Sequence, residues 1–449
     1  MRDDLKPISR RRFIGGTGAA LASIAIAPRH AIAAGGQTPP GEKLNIACIG
    51  VGGRGGDNLE SLRNQNIVAL CDVDEGRLNA AAAKFPQAKK FRDFRKMFDA
   101  VDRSLDAVVV STPDHIHSVA AMAAIKRGKH LYCEKPLAHS IYEVRALMKA
   151  ANDHKVVTQL GNQGHSFDSI RTFCEWIWDG AIGNVHTVHA YTGAVNSHMG
   201  QLARLSEQHA VPPTLDWDLW LGPAQFRPYH PLYQPGTWRG WTPFGSGSIG
   251  DWVCHVVDPV FWALDLGAPA TIQAEAKNYD PKKDALTYPM GAIVHFEFPA
   301  NGRRGPVKLI WYDGTELPPR PADMDPDDKL EGTGAIVMGD KGTIVYGSHG
   351  AARVRIIPDA KMDAYRKPAK TIPRVKEHHD DWIKAIKSGG KAGSNFDYGG
   401  PLTELAMLGR IGMRLLGQKL EWNGKEMRFT NSKEADRFIH PAFRSGWKL

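Results

Sequence analysis

The stretch KLNIACIGVGGRGG, residues 43–56, constrains the fold more than any other part of this chain. A largely apolar run from Leu44 to Ile49 reads as a buried strand and ends in Gly50-x-Gly52-x-x-Gly55, with Gly53 and Arg54 inside the same turn. Glycines so placed permit a tight turn, let backbone approach a pyrophosphate, and allow the next helix to pack closely on the strand. Such turns are common, so the flanking pattern decides. A helical segment from Asp57 to Asn64 leads to the strand NIVALCDVD, which sets an acidic residue, Asp72, 22 positions after Gly50. A carboxylate there accepts hydrogen bonds from both hydroxyls of an adenosine ribose and repels a 2′-phosphate, which favours NAD over NADP.

A second continuous apolar run, LDAVVVSTP (Leu105 to Pro113), has the character of a parallel strand covered on both faces. Its carboxyl end brings Thr112, Pro113 and His117 to the edge where ligands bind in doubly wound sheets. A helix over SVAAMAAIKRGKH and a short strand in LYCEKPLAHS follow, the latter ending in Glu134-Lys135-Pro136. A lysine held there beside a carboxylate can orient a substrate hydroxyl and stabilise negative charge developing on its oxygen.

Length and composition narrow the partner class. A chain of 449 residues is long enough for two or three globular units. The net charge of +9 suggests nucleic acid at first sight, but residues 1–33 hold Arg2, Lys6, Arg10, Arg11, Arg12 and Arg29 against only Asp3 and Asp4. The remainder is only mildly basic and has no Lys/Arg block of the kind that tracks phosphates. Five cysteines without a CxxC pair read as buried free thiols, and no compact HxxxH or CxxC set points to a metal.

Read together and in order, GVGGRG, CDVD, STPDHIH, CEKPL and the later GDWVCHVVD resemble the glucose-fructose oxidoreductase/inositol dehydrogenase (Gfo/Idh/MocA) family over nearly all of residues 43–430. The resemblance implies an α/β Rossmann domain with a doubly wound parallel sheet over 43–165. It also implies an α+β domain with a large open, mostly antiparallel sheet over 166–430, leaving 431–449 as a tail. It further implies hydride chemistry on sugars or polyols, Glu134 and Lys135 at the nicotinamide end, and a homo-oligomer.

The second half carries its own patterns. GNVHTVHAYTG, GAIVHFEFP, VKLIWYDG and GAIVMGDKGTIVYGS are strand candidates, with GDKG as a hairpin turn. Residues 212–244 are rich in proline, glycine and aromatics; Trp238 and its neighbour Arg239 suit a sugar-stacking wall, although a satellite hydrophobic cluster fits the aromatics equally well. In GSGSIGDWVCHVVDPVFWALDLG, Asp251, His255 and Asp258 share one helical stripe, with a break expected before Pro259. A histidine flanked by carboxylates suits general acid-base work. In the resembled family an Asp and a His four residues apart join the lysine at the reacting carbon, and here Asp251 and His255 match them. His165, after the strand ending near Leu160, is a further candidate for the same cleft, with a purely structural role equally open. Two amphipathic helices within 376–418 take packing roles.

Residues 9–33 add a compartment. SRRRFIG, an Ala/Gly-rich apolar run and Ala31-Ile32-Ala33 resemble a twin-arginine signal, read here as a removable segment over residues 1–33 rather than a membrane span. The reading is therefore a periplasmic NAD-dependent oxidoreductase acting on a carbohydrate, with tightly held cofactor because free NAD is scarce there. The alternatives are an NAD-dependent glycosidase or lyase working by transient oxidation and elimination, and a non-catalytic sugar-binding protein.

Overall fold

The computed structural model describes residues 42–449, so the signal read over residues 1–33 lies outside the described residues. The first half forms a six-stranded parallel sheet: β1 (Asn45–Ile49), β2 (Asn66–Cys71), β3 (Lys89–Phe91), β4 (Ala107–Val110), β5 (His130–Cys133) and β6 (Thr158–Leu160). Its order is β3-β2-β1-β4-β5-β6. The order reverses between β1 and β4, and that switch point opens a crevice beyond the strand carboxyl ends.

Both helices that border the crevice start earlier than the sequence suggests. The first spans Arg54–Ser61, directly after Gly53 at φ 52°. The glycine closes the turn by itself, so no lead-in is needed. The next spans Asp114–Ile125 with Pro113 at its cap. A proline that needs no donor and an aspartate in the first turn are favourable helix starters, and they carry His117 onto the helix.

The second half builds a nine-stranded sheet from β7 (Val185–Thr192), β8 (Thr271–Ala276), β9 (Gly291–Phe298), β10 (Val307–Gly314), β11 (Thr333–Gly339), β12 (Thr343–Gly347), β13 (Ala352–Ile357), β14 (Leu420–Asn423) and β15 (Arg428–Phe429). The order is β13-β12-β11-β7-β10-β9-β8-β14-β15. β7 and β10 run parallel while the other pairs are antiparallel, so the sheet is mixed but mostly antiparallel. Along β9, Ala292, Val294, Phe296 and Phe298 are buried while Ile293, His295 and Glu297 are half-exposed. β11 and β12 are the expected hairpin, closed by the Gly339 N–H donating to the Gly342 carbonyl at 2.9 Å.

The helices Gly247–Val256 and Phe396–Arg414 contribute to one apolar core shared with both sheets. The helix His378–Ser388 instead returns to the dinucleotide half, where Trp382 and Ile383 join Ile46, Cys48 and Tyr132. All five cysteines are buried and free. Among the described residues no helix is long and apolar enough to cross a membrane.

Candidate active site

A cavity of about 780 Å³ lies along the switch point. At one end it is lined by Gly50, Gly52, Gly53, Arg54, Asp72 and Arg77, and at the other by Lys135, Trp238, Arg239, Asp251, His255 and His349, with Thr112, Pro113, His117 and Glu134 also in its wall. This size suits a dinucleotide together with a small substrate.

The glycines do distinct work. Gly50 takes φ +80°, and a Cβ on Gly55 would sit 1.9 Å from the Gly50 carbonyl oxygen, so only glycine lets the helix approach the strand so closely. Asp72 projects from the end of β2. Its Oδ2 accepts from the Val51 N–H at 2.9 Å and its Oδ1 from the Asp74 N–H at 3.0 Å. Those bonds aim the carboxylate into the cavity while each oxygen keeps lone-pair capacity for a ribose hydroxyl. Burial pushes the Asp72 carboxyl up from its usual range, against the pull of the backbone N–H groups and Arg77.

Glu134 is buried and acts as a cross-tie. Its Oε1 accepts from Asn58 Nδ2 at 2.9 Å, Arg54 Nε at 3.2 Å and Gln163 Nε2 at 3.2 Å, joining the glycine-turn helix to β5 and the segment after β6. His117 bridges the carbonyls of Thr112 and Pro136, at 2.8 Å each, and so fixes the loop that presents Lys135.

The Lys135 end of the cavity departs from the sequence reading. Asp251 and His255 share a helix face, but no hydrogen bond joins them. Asp251 Oδ1 accepts from Lys135 Nζ at 2.6 Å and from Arg239 Nε at 3.3 Å, and Oδ2 from Asn196 Nδ2 at 3.3 Å. Burial opposes the charge of Asp251, but Lys135 and Arg239 outweigh it and hold its pKa at about 2. Two fixed cations capture the carboxylate that was expected to orient the imidazole.

Asp258 does not flank His255 either. The helix breaks at Val257, and the next one, Asp258–Ala263, points this carboxylate away. Asp258 accepts from Asn162 Nδ2 at 3.0 Å and the Tyr398 hydroxyl at 2.5 Å, and its Oδ1 lies 3.0 Å from Nδ1 of His165. Of the two readings open for His165, the structure favours the structural one: the ring is buried against Trp262 and Tyr398, with ring centroids at 4.5 and 4.6 Å, and does not line the cavity. Proline at position 259 forces the break that separates the two groups.

His255 has a different neighbour, which sequence reasoning missed. Its ring centroid stands 3.9 Å from that of His349, in the turn between β12 and β13. Burial, then Lys135, then His349 push the His255 pKa well below the usual imidazole value, and burial with Lys135 also lowers His349. Nδ1 of His255 is enclosed without a partner, which leaves Nε2 as the nitrogen open to the cavity. No local signal marks His349; only the return of β12 beside the helix Gly247–Val256 brings it in.

The aromatic loop forms the satellite cluster that was one of its two expected roles, and Trp238, packed against that cluster, also reaches the cavity. Trp217, Trp220, Tyr233, Trp241 and Phe244 form a buried satellite cluster, while Trp238, carrying the Arg239 guanidinium 4.4 Å above its ring, lines the cavity. Trp447, from the C-terminal tail, also reaches the cavity wall. Its ring lies 6.1 Å from Phe94 and under Arg95 at 4.7 Å.

A glycine turn at the switch point of a parallel sheet, an acidic residue ending the second strand, and a lysine–carboxylate pair and an imidazole at the cavity's far end define a protein of the dinucleotide-binding oxidoreductase class. The models of one family match both halves: an oxidoreductase family, NAD-binding Rossmann fold, over residues 44–162, and the C-terminal α/β domain of that family over residues 185–294. The chain belongs to the Gfo/Idh/MocA family.

Among its relatives, inositol 2-dehydrogenase of Salmonella typhimurium is 30% identical over 124 residues, 26% of this chain and 36% of that protein. Levoglucosan dehydrogenase of Pseudarthrobacter phenanthrenivorans is 28% identical over 230 residues, 51% of this chain and 50% of that protein. The chain thus spans half or less of the length of these two relatives. The WlbA dehydrogenase of Bordetella pertussis, solved with NADH and UDP-GlcNAcA, superposes with a TM-score of 0.59 at 17% identity, over 85% of this chain and 99% of that one.

Proposed function

We propose that this protein is an NAD-dependent oxidoreductase that removes hydride from a carbinol carbon of a sugar or sugar derivative. The carrying observation is the group formed by Lys135, Asp251, His255 and His349 at the end of the cavity opposite Asp72. NAD, when bound, supplies the hydride acceptor; Gly50, Gly52, Gly53, Arg54 and Asp72 would hold its phosphates and adenosine ribose.

The protein's own groups supply the rest. His255 is kept neutral by burial and by Lys135, so Nε2 can take the hydroxyl proton of the substrate. Lys135, fixed by the carboxylate and the carbonyl of Asp251 at 2.6 and 2.8 Å, holds the substrate oxygen and opposes its developing charge. Trp238 and Arg239 form a wall against which a sugar ring can stack. Lys135→Met and His255→Ala should each reduce sugar-dependent NADH formation at least about a hundredfold, the general acid-base range, while NAD still binds. Wild-type rates in both variants would refute the assignment.

The second imidazole favours a related outcome. Hydride transfer needs one base, and the Lys135 end of this cavity holds two imidazoles, His255 and His349, enough for oxidation followed by elimination, water addition and re-reduction within one glycoside. Release of a reducing sugar from a glycoside without added acceptor distinguishes that cycle from net oxidation.

Export by the twin-arginine route, with residues 1–33 removed and NAD carried inside, belongs to the same reading. Near one NAD(H) per chain in protein purified from the periplasm, retained through dialysis, supports it; an empty or cytoplasmic protein overturns it. A second copy of the chain is assigned to the far face of the nine-stranded sheet, where Ile293, Ile310 and Met338 are half-buried, and the molar mass in solution tests this.

A further inference from the structure

A second cavity, of about 350 Å³, lies behind the first between the Rossmann half, the helix Phe396–Arg414 and the C-terminal tail. Four guanidinium groups line it: Arg227, Arg410, Arg414 and Arg437. Among the described residues none of the four has a carboxylate within ion-pair distance, whereas Arg145, Arg374 and Arg444 are each paired with Glu404, Glu175 and Asp218. The one carboxylate in the cavity wall, Glu143, is already taken by the hydroxyls of Ser118 at 2.6 Å and Ser140 at 2.8 Å.

Arg410 donates from Nη1 to the His139 carbonyl and brings Nη2 to 3.2 Å from His139 Nε2, and Arg414 reaches only the Tyr279 hydroxyl, at 3.4 Å, whereas among the described residues the side chains of Arg227 and Arg437 have no hydrogen-bond acceptor. Nε of Arg227 and Nε of Arg410 are enclosed and have no hydrogen-bond partner. Arg410 and Arg414, one helical turn apart, stand 5.9 and 6.0 Å from the same Tyr288 ring. Like charges at this spacing repel, and a guanidinium presents a planar fork of donors matched to carboxylate and phosphate oxygens. An arrangement that concentrates four cations without a carboxylate partner, and leaves the guanidinium groups of Arg227 and Arg437 without acceptors, is completed by an anion.

The tail closes this site. Arg444 donates from its backbone N–H to the Pro223 carbonyl at 2.9 Å and from Nε to that of Gly222 at 3.0 Å, and Gln225 Nε2 donates to the Ala442 carbonyl at 3.1 Å. These bonds lay Arg437, Phe438 and Phe443 over the cavity, with Phe438 41% exposed at its rim. The space exceeds what a bare tetrahedral anion fills, and the aromatic rim accepts an apolar body.

We propose that this second cavity binds a small phosphate monoester, its phosphoryl group held by Arg227, Arg410 and Arg414 and its organic part covered by the tail at Arg437 and Phe438. The test is equilibrium dialysis of glycerol 3-phosphate against full-length protein saturated with NAD, with chloride at matched ionic strength as the control. One saturable site per chain is expected, weakened at least tenfold in Arg227→Gln and in Arg414→Gln. Arg437→Gln, an exposed substitution that leaves the core untouched, should weaken binding as well, so a folding failure of the other variants does not shield the proposal. No saturable binding, binding equal in all three variants, or competition by NAD would overturn it. Equal binding of malonate and glycerol 3-phosphate would also overturn the assignment to a phosphate.

Discussion

Lys135 Nζ lies 2.6 Å from Asp251 Oδ1 and 2.8 Å from the Asp251 backbone carbonyl, so one residue supplies two of the three acceptors an ammonium group can use. The third donor is left for a substrate oxygen. This contact spans the two halves of the protein and fixes Lys135 Nζ in the cavity wall.

Removing that carboxylate should misplace the lysine without emptying the cofactor site. Asp251→Asn is expected to lower kcat/KM roughly a hundredfold, within the usual range for a positioned proton-transfer group, and to leave the Kd for NAD within about threefold. Steady-state kinetics and NAD titration read the two quantities separately.

The same residue carries a pH signature. The folded-state pKa of Asp251 is about 2 against a usual 3.8, so its contribution to stability is present above pH 3.8 and is lost as pH falls towards 2. In Asp251→Asn that part of the acid slope should disappear, seen as a smaller wild-type-to-variant difference in unfolding free energy at pH 2 than at pH 6.

His255 gives a slope at higher pH. Its folded-state pKa lies well below the usual 6.5, so the stability it contributes is present above pH 6.5 and declines as pH falls below it, because the unfolded chain takes up the proton first. His349→Ala removes one of the neighbours that lower this value. NMR titration of the His255 ring should show its pKa moving up in that variant, and an unchanged value would mean that the 3.9 Å ring contact is electrically silent.

His165→Ala separates structure from chemistry. It removes one of the three partners of the buried Asp258 carboxylate, which keeps Asn162 and Tyr398, a loss of about 2 kcal/mol. A clear fall in Tm with kcat within about twofold is expected, because His165 faces away from the cavity.

Trp447→Ala should speed release of NAD. The indole lines the cavity beside Phe94 and Arg95, and truncation opens that wall to water; stopped-flow displacement measures the off-rate. An unchanged off-rate would confine the tail's role to the second cavity.

What was legible in the sequence follows from where its signals are local. The turn at Gly50–Gly55, the strand ending in Asp72 and the alternation along β9 each depend on neighbours within a few residues, since steric limits on φ and the two-residue strand period act at that range. The pairing of Asp251 with Lys135 instead of His255, the turning of Asp258 towards His165, and the arrival of His349, Trp447 and the four arginines of the second cavity are long-range events. Charges and apolar surface choose partners by distance in space, and only the packing of the two sheets and the tail set those distances. Sequence spacing put Asp251 and His255 on one helical face; the tertiary structure decided that the carboxylate belongs to the lysine and that the imidazole meets another imidazole.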